Sequence, residues 1–211
     1  MMAGLDLHLF RVINGTLRNA VLDVLMPVVT DPDPFVIPLA LVAIGLLIWG
    51  GRRGRTVVVL ALLLLFVSNA VNETLKLWFH RPRPCHTLEA VHLLVGCSAS
   101  NFSFPSSHAT NATAQAALFG FAYRPLAIPL FLVAAMIGYS RVYVGVHYPA
   151  DVVGGVLVGL MCAIVFIRLW REVDRRLPWG IHSPKTSASG SAETSASSVE
   201  PSEVQSPGAE G

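Results

Sequence analysis

Eight polar residues fall in three short stretches of an otherwise apolar chain. Lys76 and Arg83 bracket Lys-Leu-Trp-Phe-His-Arg-Pro-Arg, Ser106, Ser107 and His108 follow Pro105, and Arg141 precedes His147 and Asp151 in Arg-Val-Tyr-Val-Gly-Val-His-Tyr-Pro-Ala-Asp. A phosphate monoester or diphosphate brings about two negative charges, and its transfer spreads charge over the equatorial oxygens. Lys76, Arg83 and Arg141 can neutralise that charge, the arginines with a planar two-pronged fork. The first N–H groups of a helix opening near Pro105 are free and lie at its positive end, a ready phosphate cradle to which Ser106 adds a hydroxyl donor. Two histidines allow a division of labour, one attacking phosphorus and the other protonating the leaving oxygen. Asp151, four residues after His147, can accept the proton on Nδ1 and aim Nε2. With three fixed cations supplying electrostatic stabilisation, neither a metal nor a cofactor is expected.

The elements that must position these groups are membrane helices. Of 211 residues, 53% are hydrophobic and only 13% charged, against about 25% in soluble domains. Mean hydropathy is +0.58, which excludes a water-soluble enzyme. Net charge is +2, with no basis for nucleic-acid binding. Hydropathy and punctuation predict an all-α integral membrane bundle with spans at 35–51, 56–79, 105–123, 125–143 and 149–170. Pro105, Pro125 and Pro149 sit at helix starts, where a missing N–H costs least. The segment 5–30, interrupted at Asn14-Gly15, is expected to be an interfacial helix, a partly inserted one, or half of a bent sixth span. Arg52, Arg53, Arg55, Arg124, Arg168, Arg171, Arg175 and Arg176 mark the cytoplasmic side, so the three polar stretches meet on the outer side. Residues 1–182 form the membrane domain. The Ser/Ala/Gly/Pro-rich 183–211, where Lys185 faces four glutamates, is expected to be a disordered tail. No signal peptide is evident at the start.

The pattern Lys76-x6-Arg83-Pro84, Pro105-Ser106-Ser107-His108 and Ser140-Arg141-x5-His147-x3-Asp151 resembles the three signature motifs of the type-2 phosphatidic acid phosphatase family. The resemblance implies a membrane lipid phosphatase with His147 as nucleophile, forming a phosphohistidine. It implies His108 as the acid on the leaving group, Asp151 as the orienter of His147, and Lys76, Arg83, Ser106, Ser107 and Arg141 as phosphate ligands. Ser107 departs from the glycine common in that motif, although its N–H survives. The opening Phe10-Arg-Val-Ile-Asn14-Gly15 and the small size are similar to the bacterial undecaprenyl-diphosphatase branch, which works at the outer face of the inner membrane. Phosphatidylglycerophosphate, phosphatidate and lipid A phosphates are the alternative substrates. A lipid phosphotransferase is the nearest other activity, and a non-catalytic anionic-lipid binder or a transporter is the rival from another class. A binder has no use for the His147/Asp151 pair, and no internal repeat of the kind transporters carry is visible.

The remaining polar residues have plainer expectations. Asn69, Asn72, Glu73 and Lys76 share one face of a helix, and His108, Asn111 and Gln115 share another; these rows are read as a hydrogen-bond network supporting the site, with Glu73 beside an unidentified cation. Ser106 and Ser107 can also cap their helix. Gly154, Gly155 and Gly159 let helices approach closely within the bundle. His80, Arg81, His86 and His92 are taken as solvated loop residues, in no metal-binding spacing. If their loop faces the periplasm, Cys85 and Cys97 can close a disulfide near Arg83.

Overall fold

The computed structural model describes residues 2–97 and 102–176; the expected tail at 183–211 lies outside the described residues. The described residues form helices and connecting turns with no strand. Helix α1 (Met2–Arg11) runs into a π-turn at Val12–Thr16, and α2 (Ala20–Thr30) leaves it at 117°. Asn19 caps α2, its side chain accepting from the Leu22 N–H at 3.0 Å. Helices α3 (Asp33–Trp49) and α4 (Gly51–Phe79) form a hairpin, followed by the single turn α5 (Pro84–Thr87), then α6 (Ser107–Ala122), α7 (Ala127–Tyr143) and α8 (Pro149–Arg176).

The chain is turned inside out relative to a soluble bundle. Trp49, Phe66 and Ile128 expose 74–81% of their surface, and α3 buries none of its residues. Such surface is stable only where hydrocarbon solvates it. The run containing α4, the run Arg124–Tyr143 containing α7, and α8 are each long and apolar enough to cross a bilayer, and the bent α1/α2 pair would make a fourth. Helix α3 is apolar over 17 residues. Helix α6, with 16 residues, spans about 24 Å and is wrapped by α4, α7 and α8. Its polar side chains therefore face protein. Ser68 donates to Asn111 at 2.8 Å, Asn111 to Asn69 at 2.8 Å, Thr110 to Asn72 at 3.2 Å and Gln115 to the Ala61 carbonyl at 3.0 Å. Asn69 and Asn72 of one row and Asn111 and Gln115 of the other, together with Ser68 and Thr110, thus make a ladder joining α4 to α6.

Beneath that ladder lies a dry cluster of Leu60, Leu64, Ala114, Leu118 and Ala163 from α4, α6 and α8. Helix α8 reaches α6 because Gly155 and Gly159 have no side chain. A Cβ on Gly155 would sit 2.6 Å from the Ser106 carbonyl oxygen, and one on Gly159 would strike the Thr110 carbonyl. These glycines serve packing within the bundle. Arg52, Arg53 and Arg55, read from the sequence as an inter-span connection, instead lie in the first turns of α4. Gly50 and Gly54 make this possible by packing against the Leu46 carbonyl, which leaves Gly50–Gly51 as the whole turn. Arg53 bonds the Ala122 carbonyl and covers the Tyr123 ring, while Arg171 covers the Phe121 ring at 4.4 Å. Arginines of α4 and α8 thereby gather around the end of α6, at the bundle end opposite Lys76.

Candidate functional site

Three chain reversals build the site. Helix α4 ends at His80, whose left-handed backbone (φ 45°) returns its N–H to the Lys76 carbonyl at 3.0 Å. The following Arg-Pro-Arg-Pro segment runs beside the strip before α6. There the Ser103 N–H donates to the Arg81 carbonyl at 2.7 Å and its hydroxyl to the Pro82 carbonyl at 3.1 Å. Helices α7 and α8 meet through Val144-Gly145-Val146. Gly145 takes φ 85°, and a Cβ there would fall 2.6 Å from Val91 and 3.0 Å from the His92 carbonyl oxygen. This turn sends the His147 N–H back to the Arg141 carbonyl at 3.2 Å, so Arg141 and His147 sit side by side. The Ser106 N–H donates to the Asp151 carbonyl at 3.0 Å, fastening the start of α6 to the start of α8.

The eight residues singled out in the sequence come together here. Lys76, Arg83, Ser106, Arg141, His147 and Asp151 are all buried, the three cations to 8% exposure or less. His108 lies within electrostatic reach of Lys76, Arg83, Arg141 and His147. Lys76 pairs with Glu73 at 2.8 Å, which identifies the cation beside that carboxylate. Arg141 donates to the Thr30 hydroxyl at 2.5 Å, so the end of α2 holds the guanidinium in place. Burying cations together is unfavourable unless something negative compensates them.

The donors that remain point to what compensates them. Ser106 Oγ, Ser107 Oγ and Arg141 Nε are buried and find no hydrogen-bond partner among the described residues. Ser106 stands at the N-cap of α6 but makes no side-chain cap bond, so its hydroxyl is not spent on the helix. Buried orphan donors are rare in folded proteins. Here they cluster at a positive helix end among fixed cations, the donor set of a phosphate oxyanion site.

His147 is 2% exposed, and its Nδ1 lies 3.6 Å from Asp151 Oδ2, an ion-pair separation rather than a hydrogen bond. That oxygen accepts the Tyr148 N–H at 2.8 Å. Burial, with help from Arg141 and Arg83, pushes the His147 imidazolium down to about 4, while Asp151 opposes the change. At neutral pH the ring is uncharged and carries a lone pair, the form a nucleophile requires.

Several neighbours depart from the sequence reading. Arg81 is no solvated loop residue: its guanidinium bridges Asp151 Oδ1 at 2.6 Å and Asp6 Oδ2 at 2.5 Å. His92 pairs with Asp23 at 2.9 Å, and Asp23 also accepts from the Tyr143 hydroxyl at 2.7 Å. Asn14, legible in the sequence only as an interruption, is buried and donates to the Tyr143 and His92 carbonyls at 2.7 and 2.9 Å, pinning the loop after α5 onto the end of α7. Asp6, Asn14 and Thr30 were missed because each acts through partners 75 to 144 positions away. The one signal available was their polarity within an apolar segment. Cys85 and Cys97 are joined as a disulfide, Cα–Cα 6.7 Å. With His86 they group three metal-ligand atoms within 4.8 Å, but the cross-link occupies both sulfurs.

Comparison with known proteins agrees with this geometry. A sequence model of the PAP2 superfamily matches residues 57–175. The undecaprenyl-diphosphatase BcrC of Bacillus subtilis is 31% identical over 78% of this chain and 83% of its own length. The crystal structure of Aquifex aeolicus LpxE superposes with a TM-score of 0.66 at 32% identity, covering 78% of this chain and 95% of that one. The transmembrane PAP2-type phosphatidylglycerolphosphate phosphatase of Bacillus subtilis superposes with a TM-score of 0.67 at 26% identity, covering 82% and 88%. The family match spans the motif-bearing helices from α4 to α8, and the chain belongs to the PAP2 superfamily of membrane lipid phosphatases.

Proposed function

We propose that this lipid phosphatase removes the terminal phosphate of undecaprenyl diphosphate at the outer face of a bacterial inner membrane, through a phosphohistidine on His147 and without a metal. The observation that carries the chemistry is the buried His147, its Nδ1 toward Asp151, beside the orphan donors of Ser106, Ser107 and Arg141. With the Nδ1 proton directed at Asp151, Nε2 attacks phosphorus. The bond from phosphorus to the bridging oxygen breaks, and His108 donates a proton to that oxygen as the lipid phosphate leaves. Water then attacks the phosphohistidine, giving its proton to His108, and inorganic phosphate departs. Lys76, Arg83, Arg141 and the α6 N-terminus hold the three equatorial oxygens throughout.

The substrate reading is supported by the undecaprenyl-diphosphatase BcrC, which the chain matches over 83% of that protein's length. The orientation follows from the arginine-rich end opposite the site, by the positive-inside rule. The test is phosphate release by detergent-purified protein in EDTA from undecaprenyl diphosphate, phosphatidylglycerophosphate, phosphatidate and lipid A, with His147→Ala alongside. Release from undecaprenyl diphosphate by the wild type alone is the expected result. Preference for another lipid would move the substrate assignment and keep the mechanism. Release by folded His147→Ala would overturn the mechanism.

A further inference from the structure

The Arg81 guanidinium bridges Asp151, a residue of the third signature motif, to Asp6 of α1, which precedes the family match beginning at residue 57. Asp6 is 8% exposed and Asp151 fully buried. Asp6 Oδ1 accepts the Ala150 N–H at 2.8 Å at the start of α8, while Oδ2 takes the Arg81 guanidinium. Arg81 also lies 4.2 Å over the Tyr148 ring, which packs on Phe10 of α1 at 5.5 Å. The guanidinium is therefore held by two carboxylates and an aromatic face, and it commits Asp151 Oδ1. Only Oδ2, anchored by the Tyr148 N–H, is left toward His147 Nδ1.

We propose that Asp6 and Arg81 are positioning residues for His147: Arg81 fixes which Asp151 oxygen faces the imidazole, and Asp6 draws off part of the guanidinium charge so that Asp151 keeps its hold on the ring. The inference rests on the reading of His147 as nucleophile. It makes the N-terminal helix a member of the catalytic apparatus. Without Asp6 the whole guanidinium charge would fall on Asp151 and weaken its field at His147. Without Arg81, two carboxylates would lie near the ring with no cation between them. The other charged or titratable groups facing His147 are Arg141 from α7, Arg83 from the segment after α4, and His108 from α6.

The test reads His147 directly and needs no substrate. The full chain, labelled with imidazole-15N histidine in detergent micelles, is titrated by NMR, with the His147 signal identified by its loss in His147→Ala. In the wild type the neutral ring is expected to carry its proton on Nδ1. Arg81→Gln should raise the His147 midpoint by about one pH unit, the lower end of what a nearby charge does. Adding Asp6→Asn to Arg81→Gln should bring it back down, and Asp6→Asn alone should lower it. Arg81→Lys, which keeps the charge and loses the fork, guards against misfolding of the glutamine variant. It should leave the midpoint in place while the Nδ1–H population falls. An unmoved midpoint and tautomer in folded Arg81→Gln would overturn the inference whatever the enzyme hydrolyses. Active His147→Ala in the phosphate-release assay would instead remove the reading beneath it.

Discussion

The two ends of the bundle are both rich in arginine and behave in opposite ways. At one end Arg175 and Arg176 are more than three-quarters exposed and pair with Glu172 on their own helix. At the other, Arg83 and Arg141 are each 8% exposed, and the partners that orient Arg141 come from distant segments. Exposed pairs of the first kind contribute about 0–1 kcal/mol and leave their charge to solvent and lipid headgroups. Buried cations of the second kind retain a field that water cannot screen. Residue type is the same at both ends; burial and convergence distinguish the proposed anion site from the exposed arginines at the other end.

Substitutions test that contrast, beginning with the largest effect. His147→Ala should reduce phosphate release by about a thousandfold or more, since it removes the proposed nucleophile. A folded variant, judged by an unchanged melting profile, that kept more than a tenth of wild-type turnover would place the chemistry elsewhere. Arg141→Gln should lower kcat/KM by about 10²–10³-fold, the usual effect of deleting one oxyanion donor. Thr30→Val, which removes only the hydroxyl that holds Arg141, should have a smaller effect in the same direction.

The pH response distinguishes a buried histidine from an exposed one. With His147 held down to about 4, kcat/KM should show no acid limb from this group between pH 7 and 5, whereas an ordinary histidine near 6.5 would already titrate there. The same depression has a sign for stability. The unfolded chain takes up the proton first, so this group's contribution is complete above about pH 6.5 and is lost as pH falls toward 4. An acid limb centred at 6.5 in wild-type kcat/KM, matched by an NMR titration of the His147 signal at the same pH, would contradict the buried, uncharged assignment.

Two smaller effects complete the comparison. Gly159→Val should push α8 off the Thr110 carbonyl and lower stability by about 1–3 kcal/mol, visible as a reduced thermal midpoint. Arg175→Ala with Arg176→Ala should change phosphate release by less than twofold and stability by at most about 0.5 kcal/mol. A tenfold loss of release in that double variant would mean the two arginine-rich ends are coupled.

The amino-acid sequence by itself determined the membrane-helix class, the long helices α3, α4, α6, α7 and α8 to within about two turns at their ends, and the eight residues that meet at the site. Those features are written locally: apolar run length against bilayer thickness, proline at helix starts, and residues at fixed short spacings on the rims of neighbouring helices. The pairing of Glu73 with Lys76 was also within reach, because three residues on a helix bring the two side chains together.

The tertiary structure alone decided what holds the site. Arg81 has the same local surroundings as Arg83, with a proline after each, and only the docking of α1 against α8 separates the guanidinium clasped between Asp6 and Asp151 from the proposed phosphate ligand two residues on. Thr30 and Asn14 lie in segments whose bend and depth hydropathy does not specify, and their contacts cross more than a hundred residues to Arg141 and Tyr143. A long-range contact is a property of how helices cross, and no spacing along one chain encodes the crossing.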